Sequence, residues 1–295
     1  MAVSEKKSIF TAQSVAAPMP CGDNTQTNQS AVVYDEAEKE KRQKRIIIIG
    51  RTSIALFLII GWEFFTRIGW MDPYYWSSPS SILKTAYIQT VSGTLIRDII
   101  FTSSSTILGF IFGTLFGALL GLSFWWSKAY ANISEPFLII FNAMPKMALG
   151  PIIVILFGIG FFSKLVLAFL MTVVTTAISA YGGVKSVDSA METLMYSLGA
   201  KRRQVFTKVV VPWSMPWIIS SLRINIALAL AGAIVGEFIS SERGIGRMII
   251  YAGTILDINL VWVGVFILSI LSMVMYFGVA LLEKWLSKRL AIVKS

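Results

Sequence analysis

Six apolar stretches lie near residues 46–66, 104–126, 136–158, 164–182, 216–238 and 258–283. Each approaches the length of about 20 residues that carries a helix across a bilayer. This pattern constrains the fold more than any other feature. Inside hydrocarbon every backbone N–H and C=O must find its partner within the protein, which favours helices for segments of this kind. Composition agrees: 14% of the 295 residues are charged and 55% are hydrophobic, whereas a soluble chain carries about a quarter charged residues. The sequence therefore predicts an all-α membrane protein with about six transmembrane helices.

The same composition removes whole classes of chemistry. There is no histidine, and Cys21 is the single cysteine. A disulfide within the chain, a His/Cys metal centre and a His-based triad are thereby excluded, and no catalytic or metal-ligating residue is expected. "GIGFFSK", Gly158 to Lys164, has Ser163 ahead of Lys164 and lacks the second glycine of a phosphate loop. It also joins two apolar stretches, so the chain is expected to hold no nucleotide site or cofactor of its own. A net charge of +10 could point to nucleic acid. The basic residues sit beside apolar runs, however, which is the pattern of membrane topology, and no nucleic-acid partner is expected.

Residues 1–33 are rich in Ser, Ala, Thr, Gln and Asn and read as disordered. In "DEAEKEKRQKR", Asp35 to Arg45, the pairs Asp35/Lys39, Glu38/Arg42 and Glu40/Lys44 stand at i,i+4 with the acid first, which favours a helix. That helix is either a solvated extension of the first span or a headgroup anchor. Residues 1–45 thus read as a charged N-terminal tail and 46–290 as the transmembrane domain. The first apolar run begins at Ile46, late for a cleaved signal peptide, and is expected to stay as a span. "SSPSSILKTAYIQTVSGTLIRDII" starts a helix at Pro79 that is too polar to span, and the expectation is a helix in the outer interface or against the bundle. Among the 26 Lys and Arg residues, Arg67, Lys84, Arg97, Lys164, Arg243 and Arg247 fall on one side of the spans. The tail, Lys128, the 183–212 loop and the C-terminal end crowd the other side. The positive-inside rule makes the crowded side cytoplasmic, both termini included.

Within the spans, Gly109, Gly113, Gly117 and Gly121 share one helix face, so another helix can approach closely there. "NAMPKMALGP" breaks the third span, because Pro145 and Pro151 each remove a helix donor and Gly150 loosens the turn between them. Such breaks persist where the backbone is buried in protein or lines a cavity. Asn142, Pro145, Lys146 and Met147 are therefore candidates for a translocation path. Lys146 either lines that path or packs and snorkels. Asn225 and Glu237 in the fifth span are further candidates, each either interfacial or within the path, as is Arg223 beside them.

The loop before the fifth span carries the most information. Met191, Leu194, Met195 and Leu198 recur at helical spacing, which predicts one apolar helix face. Gly199 suits the position just past a helix C-terminus. Lys201 to Val211 read as a second helix, with Pro212 and Pro216 marking entry into the fifth span. Two short helices joined at a hinge either dock into a partner's groove or pack on their own chain.

This loop resembles the "EAA" loop of permease subunits in ATP-binding-cassette (ABC) importers. Gly199 and Ala200 match its Gly-Ala, and Val209, Val211 and Pro212 match its closing element. "VD" (Val187, Asp188), "SLGA" (Ser197 to Ala200), "SLRI" (Ser221 to Ile224), "GEF" (Gly236 to Phe238) and "RGIGRMI" (Arg243 to Ile249) are similar to the nitrate, sulfonate, taurine and bicarbonate branch. The resemblance spans roughly residues 75–285 and implies a type I importer permease fold in the inner (plasma) membrane of a prokaryote. It also implies a second permease subunit, expected as a homodimer, two separate ATPase subunits that bind ATP and Mg, and a periplasmic or lipid-anchored binding protein. Asp188, Glu192, Gly199, Ala200, Lys201, Arg202, Arg203 and Pro212 would form the ATPase-coupling loop, with the basic trio against the ATPase or nearby headgroups. The cargo implied is a small anion such as a sulfonate, nitrate, bicarbonate or carboxylate, although some relatives carry pyrimidine vitamins or their precursors. One position departs: counting back from Gly199, the acidic position holds Thr193, and Glu192 stands one residue early. A secondary transporter or channel would need inverted repeats or intramembrane ionisable pairs. A membrane-embedded enzyme would need acids, His or Cys clustered at one depth. Neither pattern is visible.

Overall fold

The computed structural model describes residues 24–294, and the first 23 residues of the expected tail lie outside the described residues. The chain divides into two units, Met1–Gly61 and Trp62–Ser295. Helix α1 runs Asn24–Ile68. Residues 24–33, expected to be disordered, are helical here as the first turns of α1. Of α1, Arg45–Ile68 is long and apolar enough to cross a membrane, and Ile46, Ile54, Phe57 and Ile60 stand exposed along it.

The second unit adds α2 (Pro73–Trp76), α3 (Pro79–Val91), α4 (Thr94–Ser123), α5 (Lys128–Ala143), α6 (Gly150–Phe157), α7 (Phe161–Lys185), α8 (Ser189–Ser197), α9 (Arg202–Val205), α10 (Val211–Ile239), α11 (Ile245–Thr254) and α12 (Ile258–Lys294). Short 3-10 turns at Phe124–Trp126 and Lys146–Leu149 and a π turn at Phe206–Val210 complete the order. Among the described residues five helical stretches have the length and hydropathy of spans, and the α5/α6 pair makes a sixth broken by an 82° bend. The bend falls where expected. Met144 precedes Pro145 and takes the extended conformation (φ −64, ψ 137) that proline imposes on its predecessor.

Two expectations need correction. The segment from Pro79 is not one helix, although α3 does lie against the bundle, with Ile82 buried in a core shared with α4, α11 and α12. It breaks at Gly93 (φ +73), and Thr94 onward is the first part of the second span. The apolar period of 94–103 runs unbroken into the stretch that begins at 104, so the polar residues ahead of it add turns to the span. The second helix of the loop does not end at Pro212 either, for a continuous helical path runs Arg202–Ile239. A proline ring clashes with the carbonyl four residues back. Here the π turn widens the backbone, Val211 N–H donates to the Phe206 carbonyl, and Pro212 enters without a break.

Small residues bring α4, α7 and α10 into contact. A Cβ on Gly117 would lie 2.7 Å from the Thr176 Cβ, and one on Gly232 would lie 2.9 Å from the Leu167 carbonyl oxygen. The glycine face read from the sequence is thus the surface that receives α7. A second core joins Ile82, Leu95, Ile245, Met248, Ala252, Leu260 and Val263 of α3, α4, α11 and α12.

Candidate functional site

The loop between α7 and α10 is organised by its helix ends. Asp188 caps α8, its carboxylate accepting from the Ala190 N–H at 2.9 Å. At the other end Gly199 adopts φ +79. Its N–H donates to the Tyr196 carbonyl at 2.9 Å, and the Ala200 N–H donates to the Met195 carbonyl at 3.0 Å. This pair of bonds is a Schellman closure, which needs a left-handed residue at that position. The next helix starts at Lys201, whose N–H donates to Gln204 Oε1 at 2.7 Å.

The outward face of α8 is bare. The helix has no buried residue, and Met191, Leu194 and Leu198 are 44%, 55% and 75% exposed. Its inward side meets the turn after α4, where Trp125 Nε1 donates to Glu192 Oε1 at 2.9 Å. Arg202 donates to the Trp126 carbonyl, and its guanidinium lies 5.4 Å from the ring centroids of both Trp125 and Trp126. Lys201 and Arg203 are exposed. Lys185 pairs with Glu135 of α5 at 2.7 Å, and Trp213 Nε1 donates to the Ser186 carbonyl at 2.9 Å. Pro212 is half-buried within the continuous helix.

The path candidates divide into two groups. Asn142, Pro145, Lys146 and Met147 cluster at the bend between α5 and α6, where the Lys146 ammonium donates to the Asn142 carbonyl at 3.2 Å. Asn142, Pro145 and Met147 are exposed and Lys146 is half-buried. Asn225 and Glu237 are sealed between helices. Asn225 is fully buried, donating to Thr176 Oγ1 at 2.8 Å across the α7–α10 contact. Glu237 is 1% exposed and accepts from Thr102 Oγ1 and from the Gly246 N–H, both at 2.7 Å.

Glu237 belongs to a clamp that the sequence did not reveal. The Gly244 N–H donates to Asp98 Oδ1 at 2.9 Å and the Ile245 N–H to Thr102 Oγ1 at 3.0 Å. Three amides at the start of α11 are thereby satisfied by side chains of α4 and α10. Gly244 stands at φ +114, with no room for a Cβ beside the Glu237 carboxyl. Lys164 is a correction. Counted with the outward surface charges, it is fully buried, and its ammonium donates to the Ser240 carbonyl and, at 3.2 Å each, to the Ile159 carbonyl and Ser163 Oγ. A cation at the carbonyl end of α10 is favourable there. The apolar setting "FFSKLVL" was the available signal.

Beside the clamp lies a recess of about 280 Å³ lined in part by Arg97, Asp98, Glu242, Arg243, Arg247 and Tyr251. Among the described residues none of the three arginines has a carboxylate within 4 Å, and Arg247 lies over the Tyr251 ring at 5.8 Å. No group of three or more His, Cys, Asp or Glu residues able to hold a metal ion occurs among the described residues.

One broken span, a glycine-sealed bundle and a helix with no buried residue mark the structure, and comparison with known proteins supplies the class. The profile of the family described as "Binding-protein-dependent transport system inner membrane component" matches residues 113–291. The chain belongs to that family and is an ABC importer permease subunit, a multi-pass membrane protein that works with ATPase and substrate-binding partners and carries no ATPase site of its own. It is 31% identical to the formylaminopyrimidine transport permease protein ThiX of Halalkalibacterium halodurans, over 79% of this chain and 92% of that one. It is 28% identical to the taurine transport system permease protein TauC of Escherichia coli, over 82% and 90%. The fold matches the inward-facing MetNI methionine ABC transporter with a TM-score of 0.57 at 17% identity, covering 66% of this chain and 97% of that one.

Proposed function

We propose that two copies of this chain form the translocation path of an ATP-driven importer, and that residues 187–212 couple the path to separate ATPase subunits which bind ATP and Mg. The observation that carries this reading is α8. A helix fixed at both ends by Asp188 and Gly199 presents Met191, Leu194 and Leu198 as exposed apolar side chains. Exposed apolar anchors on a short rigid helix suit a groove in a partner. Asp188, Glu192, Gly199 and Ala200 then shape the element, Lys201 and Arg203 are free to meet the ATPase or headgroups, and Arg202 serves the chain's own tryptophans. The subunit sits in the inner membrane of a prokaryote, with both termini and this loop on the cytoplasmic side.

Asn142, Pro145, Lys146 and Met147 face the path, because the bend exposes them together. Asn225 and Glu237 support it from within the bundle. The cargo is a small anion such as a sulfonate or carboxylate, delivered by a binding protein to the side that holds Arg97, Arg243 and Arg247, which have no ion-pair partner among the described residues and favour an approaching acid. A second reading, an uncharged pyrimidine precursor, is favoured by the similarity to the formylaminopyrimidine permease.

The test is uptake by the complex reconstituted in proteoliposomes, with labelled taurine and a formylaminopyrimidine as cargoes. Gly199→Pro removes the N–H that closes α8 and forbids φ +79. ATP-dependent uptake should vanish while the subunit remains in the membrane. Unchanged uptake would end the coupling-loop reading.

A further inference from the structure

The α8 helix is attached to the rest of the chain at few points. Among the described residues, Glu192 is its one side chain that hydrogen-bonds to another element, and the donor is Trp125 Nε1 at 2.9 Å. Trp125 belongs to the 3-10 turn Phe124–Trp126 that ends the second span and leads into α5. The same turn holds the far side of the loop. Arg202 lies 5.4 Å from both indole centroids and bonds the Trp126 carbonyl, and the Phe206 ring lies 5.5 Å from Trp125 and 5.3 Å from Trp126. Thus α8, α9 and the π turn converge on one tryptophan pair.

The geometry accounts for the displaced acid. One residue is roughly 100° of turn on a helix. Thr193 is exposed and bonds only back to the Ser189 carbonyl at 2.8 Å, whereas Glu192, half-buried, faces the bundle. The carboxylate that would otherwise point to a partner is taken up inside the chain.

We propose that Trp125 and Glu192 are positioning residues of energy coupling, forming a strut through which displacement of α8 is delivered to the turn between the second span and α5. Arg202 and Phe206 hold the other side of the loop to the same turn, so the two sides move together. A bare α8 without the strut would rotate about Gly199 under load. This inference rests on the reading of α8 as the ATPase contact.

The experiment uses the full complex, with its ATPase subunits and binding protein, in proteoliposomes, and reads cargo imported per ATP hydrolysed alongside co-purification of the ATPase. Trp125→Phe keeps an aromatic ring for Arg202 and Phe206 but removes the N–H. Glu192→Ala removes the acceptor, and Glu192→Gln keeps one. Trp125→Phe and Glu192→Ala should each lower import per ATP by about fivefold, the factor that one net hydrogen bond commands, with the ATPase still bound and hydrolysing. Glu192→Gln should restore most of the ratio, and the double variant should be no worse than either single one. An unchanged ratio in both single variants overturns the strut. So does additive loss in the double variant, or Glu192→Gln behaving as Glu192→Ala. Loss of ATPase binding in Glu192→Ala also overturns it, by making Glu192 a partner contact while leaving the coupling-loop reading intact. That reading fails separately, through wild-type uptake in Gly199→Pro.

Discussion

Two places in this molecule use the same parts for opposite ends. Each place has a glycine at positive φ and an acid that reaches another element: Gly244 lies against Glu237 at the start of α11, whereas Gly199 closes α8 at the end opposite Glu192, which bonds Trp125. Around α11 everything is satisfied within the bundle. Glu237 is 1% exposed, the first amides of the helix are bonded by Asp98, Thr102 and Glu237, and Gly244 leaves no space for a Cβ. Around α8 one acid reaches one tryptophan, nothing lies within 4 Å of a Cβ built on Gly199, and the apolar side chains look outward. Burial therefore decides what such a motif does. Enclosed and fully bonded, it anchors a helix; open on one side, it leaves the helix exposed.

The comparison can be broken by stability measurements. Glu237→Ala strands the Thr102 hydroxyl and the Gly246 N–H in a dry site and should cost about 2–4 kcal/mol, at about 1–3 kcal/mol for each orphaned group with partial relaxation. The expected readout is a large fall in the thermal unfolding midpoint in detergent, and a midpoint within a degree or two of wild type would show the clamp to be dispensable. Gly244→Ala should cost about 1–3 kcal/mol through strained backbone alone, read in the same melt, with overlap against the Glu237 carboxyl adding to it. Gly199→Ala has space but the wrong φ, so about 1 kcal/mol is expected, with uptake retained in proteoliposomes. Leu194→Glu should leave the melt within about 0.5 kcal/mol, as exposed substitutions do. It should nevertheless reduce co-purification of the ATPase more than any of the other three. If Leu194→Glu melts early while the ATPase still binds, α8 packs on its own chain and the contrast between the two regions disappears.

Much of this was legible in the sequence because it depends on local order. The break at Pro145, the helix face of Met191, Leu194 and Leu198 and the left-handed Gly199 all follow from period and from proline and glycine stereochemistry over a few residues. The glycines at four-residue spacing announced a close helix contact. Their partner face on α7, with Ala168, Thr172, Thr176 and Ala180 set against them, could not be named from one strand of the contact. Pro212 misled for a related reason. Proline does end a regular α-helix, but the π turn ahead of it supplies a backbone that proline tolerates, and no residue type in "FTKVV" advertises that geometry.

The sequence by itself determined the class: six apolar stretches with a basic loop admit a helical membrane bundle and little else, since hydrocarbon leaves an exposed backbone no alternative. Tertiary structure alone decided the roles of the charges. From the sequence Lys164 reads as an outward charge, Glu237 as interfacial or within the path, and Glu192 as part of the coupling loop. They differ because residues 76, 135 and 67 positions away supply a carbonyl, a hydroxyl and an indole N–H. The free energy of an ionised side chain is set by what surrounds it in space, and that information is absent from any short window of residues.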